Sequence, residues 1–402
     1  MKRIGILKAV CCTFLGMVSA LVLSADDNGA YSGYAPYSIY GVGDLFNGGS
    51  AYNMTMGGVG VASRNNRYIN SLNPAAVTAR DSLAFMSDFS VYQNNKILKQ
   101  GSALSANNIF NINDFIISFP LFPKTAMMIG ITPYSSTGYA FDYYETNKEV
   151  LGTVGNVNHS YTGQGSMYQI FAAGGITLFD RLSIGAQYIH YTGNLEKNYT
   201  QTISDAAALG LNGVSEMILS ANTAKLGLQY EQEFSNKFKM VLGATYKFDT
   251  RLNGYINNTL TSGQASISSS SDTLSHMSSP LRLGDEVAVG LGIVYNRKFR
   301  AEVDYTRSDW SKSGFEKQRG FSVNGVGGAP IFTSGVSESI RFGMEYIPRP
   351  NDVRYYKNII AYRAGAYFTK DYYKVNGNPI YARGITLGAT LPVFQWYNGV
   401  TL

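Results

Sequence analysis

The sequence predicts an all-β chain: an antiparallel transmembrane β-barrel of about fourteen strands. Three observations carry that expectation. The stretch from Ala224 to Asp249 alternates with a period of two, the pattern recurs along the chain between regularly spaced tight turns, and the composition is poor in charge. In the first half of that stretch Ala224, Leu226, Leu228 and Tyr230 are apolar or aromatic, with Lys225, Gly227, Gln229 and Glu231 between them. Ser235-Asn236-Lys237 interrupts. The alternation then resumes with Phe238, Met240, Leu242, Ala244, Tyr246 and Phe248 against Lys239, Gly243, Thr245, Lys247 and Asp249. A period of two sends alternate side chains to opposite faces, so this is a hairpin with one apolar face and one charged or tiny face. Strands of about ten residues suffice to cross a bilayer when tilted. A hairpin of a soluble β-sandwich would show the same alternation, and only its repetition separates the two.

The chain opens Met1-Lys2-Arg3, runs apolar from Ala9 to Leu23 and reaches Ser24-Ala25 before Asp26-Asp27. That order reads as a secretory signal peptide over 1–25, cleaved after Ala25, with Ala20 as the other site. A membrane anchor would need about 20 apolar residues. Cys11 and Cys12 fall within the leader, which leaves no thiol chemistry to the mature chain. Lys2, Arg3 and Lys8 fall there too, so 33 basic residues become 30 against 27 acidic, a net +3. Neither that balance nor any basic run suits nucleic acid. Charged residues make up 15% and aromatics 13%, with 30 Tyr and 43 Gly. With a leader, such a composition suits a membrane barrel better than a secreted soluble domain.

From Ala30 to Arg80 there is little strand pattern. The segment holds Tyr37 to Asp44, then Met56-Gly57-Gly58-Val59-Gly60-Val61-Ala62, then Asn73-Pro74-Ala75. A phosphate loop is the lesser reading, because no strand-to-helix frame surrounds the glycines. The stretch reads as a compact segment, its turns permitted by glycine and Asn-Pro, packed against something larger. Strands begin at Ser82, give way to a polar loop, and return through Asn113 to Phe119. Tight turns fall at Phe122-Pro123-Lys124, Phe179-Asp180-Arg181, Ser235-Asn236-Lys237, Asn296-Arg297-Lys298, Pro348 to Asn351 and Gln395 to Asn398, about 45 to 60 residues apart. Long polar loops between them complete the pattern of an outer-membrane barrel. The Ser-rich run Ser262 to Ser279 reads as such a loop, and Asp205 to Ser220 as a loop with a short helix. Twelve strands are visible over 82–402, and a thirteenth starts at Gly399. Since these barrels close with even strand numbers, fourteen are expected, with the last hairpin missing.

The Gly57–Ala62 run, followed by Asn73-Pro74-Ala75 just before the first strand, resembles the FadL/TodX outer-membrane transport family. The resemblance implies a hatch over 26–81 folded inside the lumen, containing Gly57, Gly58, Asn73, Pro74 and Ala75. It also implies passive uptake of hydrophobic molecules, long-chain fatty acids or aromatic hydrocarbons, in the outer membrane of a Gram-negative bacterium. The partners are then membrane lipid and a hydrophobic ligand, or another outer-membrane or secretion protein if the barrel serves assembly. A general hydrophilic porin is a third reading. In the strand from Ala126, Pro133 cannot donate to a ladder and marks a bulge or the strand end. In the resembled family a kink there opens a side window, with Asn73 of the hatch expected to fill the gap.

Inward charges of both signs, Lys247, Asp249, Arg300, Glu302, Arg341 and Glu345, suit cross-lumen pairing or a wet pore. No cofactor or metal is implied, because no two of His159, His190 and His276 have ligand spacing. His190 shares a face with Tyr188, as an interfacial histidine does. His276-Met277-Ser278 sits in a Ser-rich loop where such spacing arises by chance. The chain reads as a non-enzyme.

Overall fold

The computed structural model describes residues 34–46, 48–80, 84–204, 209–263, 265–276, 280–317, 332–352 and 354–392. The expected leader, the turn at Gln395, the strand start at Gly399 and the Met277-Ser278 pair lie outside them. The strands are β1 (Asp44–Leu45), β2 (Met86–Gln100), β3 (Ala103–Phe122), β4 (Thr125–Ser136), β5 (Tyr139–Tyr144), β6 (Val157–Leu178), β7 (Leu182–Ile203), β8 (Leu211–Ser235) and β9 (Phe238–Lys247). There follow β10 (Thr250–Arg251), β11 (Asn253–Ser262), β12 (Ala265–Thr273), β13 (Arg282–Leu283), β14 (Asp285–Tyr295), β15 (Phe299–Asp309), β16 (Phe332–Ser334), β17 (Val336–Tyr346), β18 (Ala361–Val375) and β19 (Asn378–Thr390). Twelve of these form an antiparallel wall in chain order: β2, β3, β4, β6, β7, β8, β9, β14, β15, β17, β18 and β19.

The hairpin turns follow from their residues. Phe179 and Asp180, like Asn296 and Arg297, both take positive φ. Two consecutive left-handed residues twist a two-residue turn in the sense of its strands, and Asp and Asn tolerate that conformation. The alternation sorts the faces as the lipid requires. Leu226, Leu228, Leu242, Val287, Val289, Ile340 and Phe342 point outward and are exposed, while Gln229, Thr245, Lys247, Glu302 and Asp304 point inward and are buried.

Farther from the short turns the polarity inverts. On β7 the outward residues Ile184 and Tyr188 are exposed and apolar, but beyond His190 the outward positions become Thr192, Asn194 and Glu196, and the inward ones become Tyr191 and Leu195, both fully buried. β8 inverts at the same level, between Ala224 and Ala221. Below this level the wall faces hydrocarbon. Above it the wall faces water and encloses an apolar core in which Leu195, Leu252, Leu281, Trp310 and Tyr372 pack with Ile39, Tyr40 and Val42.

Several expected loops are strands of this outer half. The polar stretch after Val91 continues as β2 and β3 with a two-residue turn between them. The Ser-rich run forms β12 against β11, and β8 runs as strand from Leu211 where a helix was expected. Helix instead occupies Lys148–Val154, capped by the Asn147 side chain on Glu149 N. Lipid no longer dictates an apolar outer face here, so these segments lose the signature that marks membrane strands.

Candidate functional site

The wall opens between β3 and β4. The two strands pair only from Phe115↔Ile131 to Phe122↔Thr125. Above that level β3 keeps β2 as its described partner. β4 stays with β6 through Thr132↔Gln169 and Pro133↔Tyr168, then shifts register to Ser135↔Met167, so Tyr134 is the bulged residue. Pro133 therefore lies within a strand at a bulge, neither out in a loop nor in an unbroken ladder. A residue without an N–H is tolerated where pairing changes hands.

The freed edge of β4 is taken by the N-terminal segment rather than by Asn73. Asp44 pairs with Ser136 and Leu45 with Ser135, Phe46 N donates to Tyr134 O at 2.8 Å, and Ala35 N donates to Gly138 O at 2.8 Å. This segment also reaches across to the other lip. The Asp44 carboxylate lies 3.6 Å from Lys96 Nζ on β2, and the Phe46 ring meets Tyr92 edge-on at 5.3 Å. Burial pushes the Asp44 carboxyl above the usual carboxylate range, against the pull of Lys96. A carboxyl raised on docking binds its proton more tightly in the docked state, so the contact strengthens as pH falls and weakens as pH rises through the raised value.

Asn73 sits elsewhere, on β8. Its amide donates to Val61 O at 2.7 Å and Leu228 O at 3.2 Å, while its Oδ1 caps the 3-10 turn Pro74–Thr78 through Ala75 N. The residues of the glycine run bind the opposite wall. Gly57 N donates to Thr386 Oγ1 at 2.9 Å, and Gly58 O accepts from Arg341 Nη1 at 3.2 Å. Gly60 N and Val61 N both donate to Asp304 Oδ2, at 2.6 and 2.9 Å. Gln229 Nε2 reaches Val61 O at 2.9 Å, and Arg300 Nη2 reaches Arg64 O at 2.9 Å.

Glycines of the wall make this seating possible. A Cβ on Gly185 or Gly227 would overlap Pro74, one on Gly243 would overlap Val61 O, and one on Gly343 or Gly365 would overlap Met56 and Gly57. The backbone of residues 55–75 thus runs directly against the inner wall from β7 round to β19. The tiny inward residues of the alternation are where main chain meets main chain.

The inward charges are paired. Lys247 lies 3.6 Å from Glu286, Arg300 3.1 Å from Glu302, and Arg363 2.8 Å from Glu345. Asp249 departs from the expectation: it is exposed beyond the end of β9 and pairs with Arg282. Arg363 also stacks 4.7 Å from both Tyr52 and Tyr68 of the N-terminal segment. Its bridge to Glu345 is almost fully buried, with side-chain exposures of 3% and 6%. Replacing Glu345 by Ala strands a guanidinium in the lumen and is expected to cost roughly 3–5 kcal/mol. The temperature at which the folded band is lost on a heat-modifiability gel measures it, and Glu345→Gln should lose much less.

His190 is half-buried on the outer face and hydrogen-bonded to Asn222 at 2.8 Å, and His159 to Tyr199 OH at 2.8 Å. Among the described residues no cluster of three or more His, Cys, Asp or Glu could hold a metal ion.

A family model described as BamG matches residues 6–402. The chain belongs to the BamG family. No curated protein matches the sequence. Among solved structures, this BamG-family chain is similar to the toluene transporter TbuX of Ralstonia pickettii, at 14% identity and a TM-score of 0.55, over 84% of this chain and 89% of that one. It is also similar to the toluene transporter TodX of Pseudomonas putida, at 15% identity and a TM-score of 0.53, over 88% and 90%. The likeness shows that this chain shares their barrel fold, and those neighbours are transporters by description.

Proposed function

We propose that the protein is a passive outer-membrane channel for hydrophobic small molecules, long-chain fatty acids or aromatic hydrocarbons. They leave the lumen sideways between β3 and β4 when the strand Asp44–Leu45 withdraws. The observation that carries this reading is the loss of β3–β4 pairing above Ile131, with a two-residue strand as the filling of the gap. A short segment held by a few hydrogen bonds, one ion pair and one ring contact makes a weaker closure than a continuous ladder, so the wall is poised to part there. Burial of apolar ligand surface drives binding, and no energy input is needed. That the solved neighbours are described as toluene transporters supports the ligand class.

The test is uptake of a labelled fatty acid and of labelled toluene by cells with and without the protein. Pro133→Val should favour a regular ladder from β3 to β4, lower uptake several-fold and leave the heat-modifiable barrel band intact. Equal uptake with and without the protein would overturn the channel. Unchanged uptake by the variant would overturn the side exit alone.

A second reading is a plugged barrel that acts as an assembly or secretion partner in the outer membrane. It is favoured by the seating of residues 55–75 on wall glycines, which holds the hatch fast. A stoichiometric protein partner retained through purification from membranes would decide for it, while a lone barrel carrying lipid would decide for transport.

A further inference from the structure

On the outward face of β18 and β19 the apolar rows give way to a charged square. Successive register pairs there are Ala364–Leu387, Ala366–Ile385, Phe368–Arg383 and Lys370–Tyr381. Ile385 and Leu387 are strongly exposed, as hydrocarbon-facing residues are. In the last two rows Lys370 and Arg383 occupy one diagonal, and Phe368 and Tyr381 the other. The two rings stack with centroids 5.5 Å apart. Diagonal positions on one face of an antiparallel pair lie about 7–8 Å apart, within reach of long side chains. The ammonium and the guanidinium can therefore converge over the shelf of rings between them.

Depth decides what they meet. Tyr362 lies at the inner rim in one row with Tyr346 and Phe299, and Lys370 follows it by eight residues. At about 3.4 Å per residue and a strand tilt of roughly 40°, Lys370 stands about 20 Å above that rim, near the edge of an apolar band about 25 Å tall. Arg383 starts one row deeper, inside the band. A cation on a lipid-facing row is costly, and its long stem carries the head outward to the level of the headgroups.

The square also holds charge in excess. Glu338 of β17 is the carboxylate opposite Lys370. Both its oxygens are engaged, one by Lys370 Nζ at 3.1 Å and the other by Tyr305 OH at 3.1 Å. Arg383 has no ion pair or hydrogen bond among the described residues. Arg307 of β15 flanks Glu338 from the far side and is drawn to Asp309, which opposes Asp285 in the next row outward. Lys370, Arg383 and Glu338 together leave one positive charge over, at the height where lipid phosphates lie.

We propose that this square binds the phosphate of an anionic lipid headgroup. A monoanionic phosphate diester matches the excess charge. Lys370 has two further donors for it and Arg383 its whole fork, while the acyl chains run down over Ile385 and Leu387. The site rests on placement of the wall in a membrane, and it uses no residue of the hatch or of the opening between β3 and β4.

The full-length protein in a neutral detergent is offered phosphatidylglycerol and phosphatidylcholine with the same acyl chains, and retained lipid is counted by native mass spectrometry. Both carry a phosphate, but choline cancels its charge. Phosphatidylglycerol should be retained at least tenfold better. Each cation beside an anionic headgroup is worth a factor of about five, so Lys370→Gln and Arg383→Gln should each weaken retention by about that much. The double variant should fall to the level of phosphatidylcholine, while Lys370→Arg keeps the preference. Lys237→Gln removes the same charge at an exposed short turn and should change nothing. All these side chains are outside the core, so the heat-modifiable band should persist in every variant. Equal retention of the two lipids, an unaffected double variant, or an equal loss in Lys237→Gln would overturn the proposal. So would displacement of the lipid by millimolar inorganic phosphate, which would mark a site for free anions. Hydrocarbon uptake enters none of these readouts, and a wall that does not belong in a membrane would show itself separately by failing to insert into vesicles.

Discussion

Tethering the hatch strand to the wall is expected to abolish hydrophobic uptake, and reduction is expected to restore it. Leu45 and Ser135 are register partners across the only pairing that fills the side opening among the described residues. Opposite residues of an antiparallel pair come close enough for a disulfide, and their Cβ atoms lie on the same face. The sequence holds two cysteines, Cys11 and Cys12, both in the expected leader, so Leu45→Cys with Ser135→Cys introduces an unambiguous pair. In oxidised cells uptake of labelled toluene should fall to that of cells lacking the protein, and a reductant should return it. Because one protein supplies both states, misfolding cannot mimic the result. Unimpeded uptake by a fully oxidised pair would show that β1 does not have to move.

Replacing Gly365 by Val should unseat the hatch without dismantling the wall. A Cβ there would overlap the backbone of Gly57, and neither main chain can yield while both keep their hydrogen bonds. Overpacking of this kind costs roughly 3 kcal/mol, and here the contact to be broken is the seat rather than the ladder of β18. Lifting Met56–Gly58 also removes the bonds of Gly57 to Thr386 and of Arg341 to Gly58. The variant should keep its heat-modifiable band, expose the Met56–Ala62 stretch to protease, and conduct ions in a planar bilayer where the parent stays nearly closed. A closed, protease-resistant variant would show that the wall gives way instead.

The barrel was legible in the sequence because lipid imposes a rule on every membrane-facing residue. Leu226, Val289 and Phe342 obey it, and the short turns mark where it restarts. The outer half was not legible, because beyond His190 water replaces lipid and no single face must be apolar. There serines at Ser268 to Ser271 serve as well as valines would. Within the site, the Gly57–Ala62 and Asn73–Ala75 motifs were visible, and Pro133 pointed to the place where pairing fails. The occupant of that place was missed: a two-residue strand has no period, and Asp44-Leu45 looks like any turn-rich sequence. The wall glycines carried the one signal that could have located the hatch. Gly185, Gly227, Gly243, Gly343 and Gly365 all fall on inward positions, where a pore would tolerate side chains and only a closely seated backbone excludes them.

The seating of the hatch also orders events in time. Gly60 precedes its acceptor Asp304 by 244 residues, Gly58 precedes Arg341 by 283, and Gly57 precedes Thr386 by 329. The segment is made first, yet its backbone amides find partners only after β15, β17 and β19 exist. Contacts of such long sequence separation form slowly, because the whole intervening loop must be closed before they return any stability. Completion of the wall and docking of the hatch are therefore one late step. The nascent barrel must wrap around its own beginning.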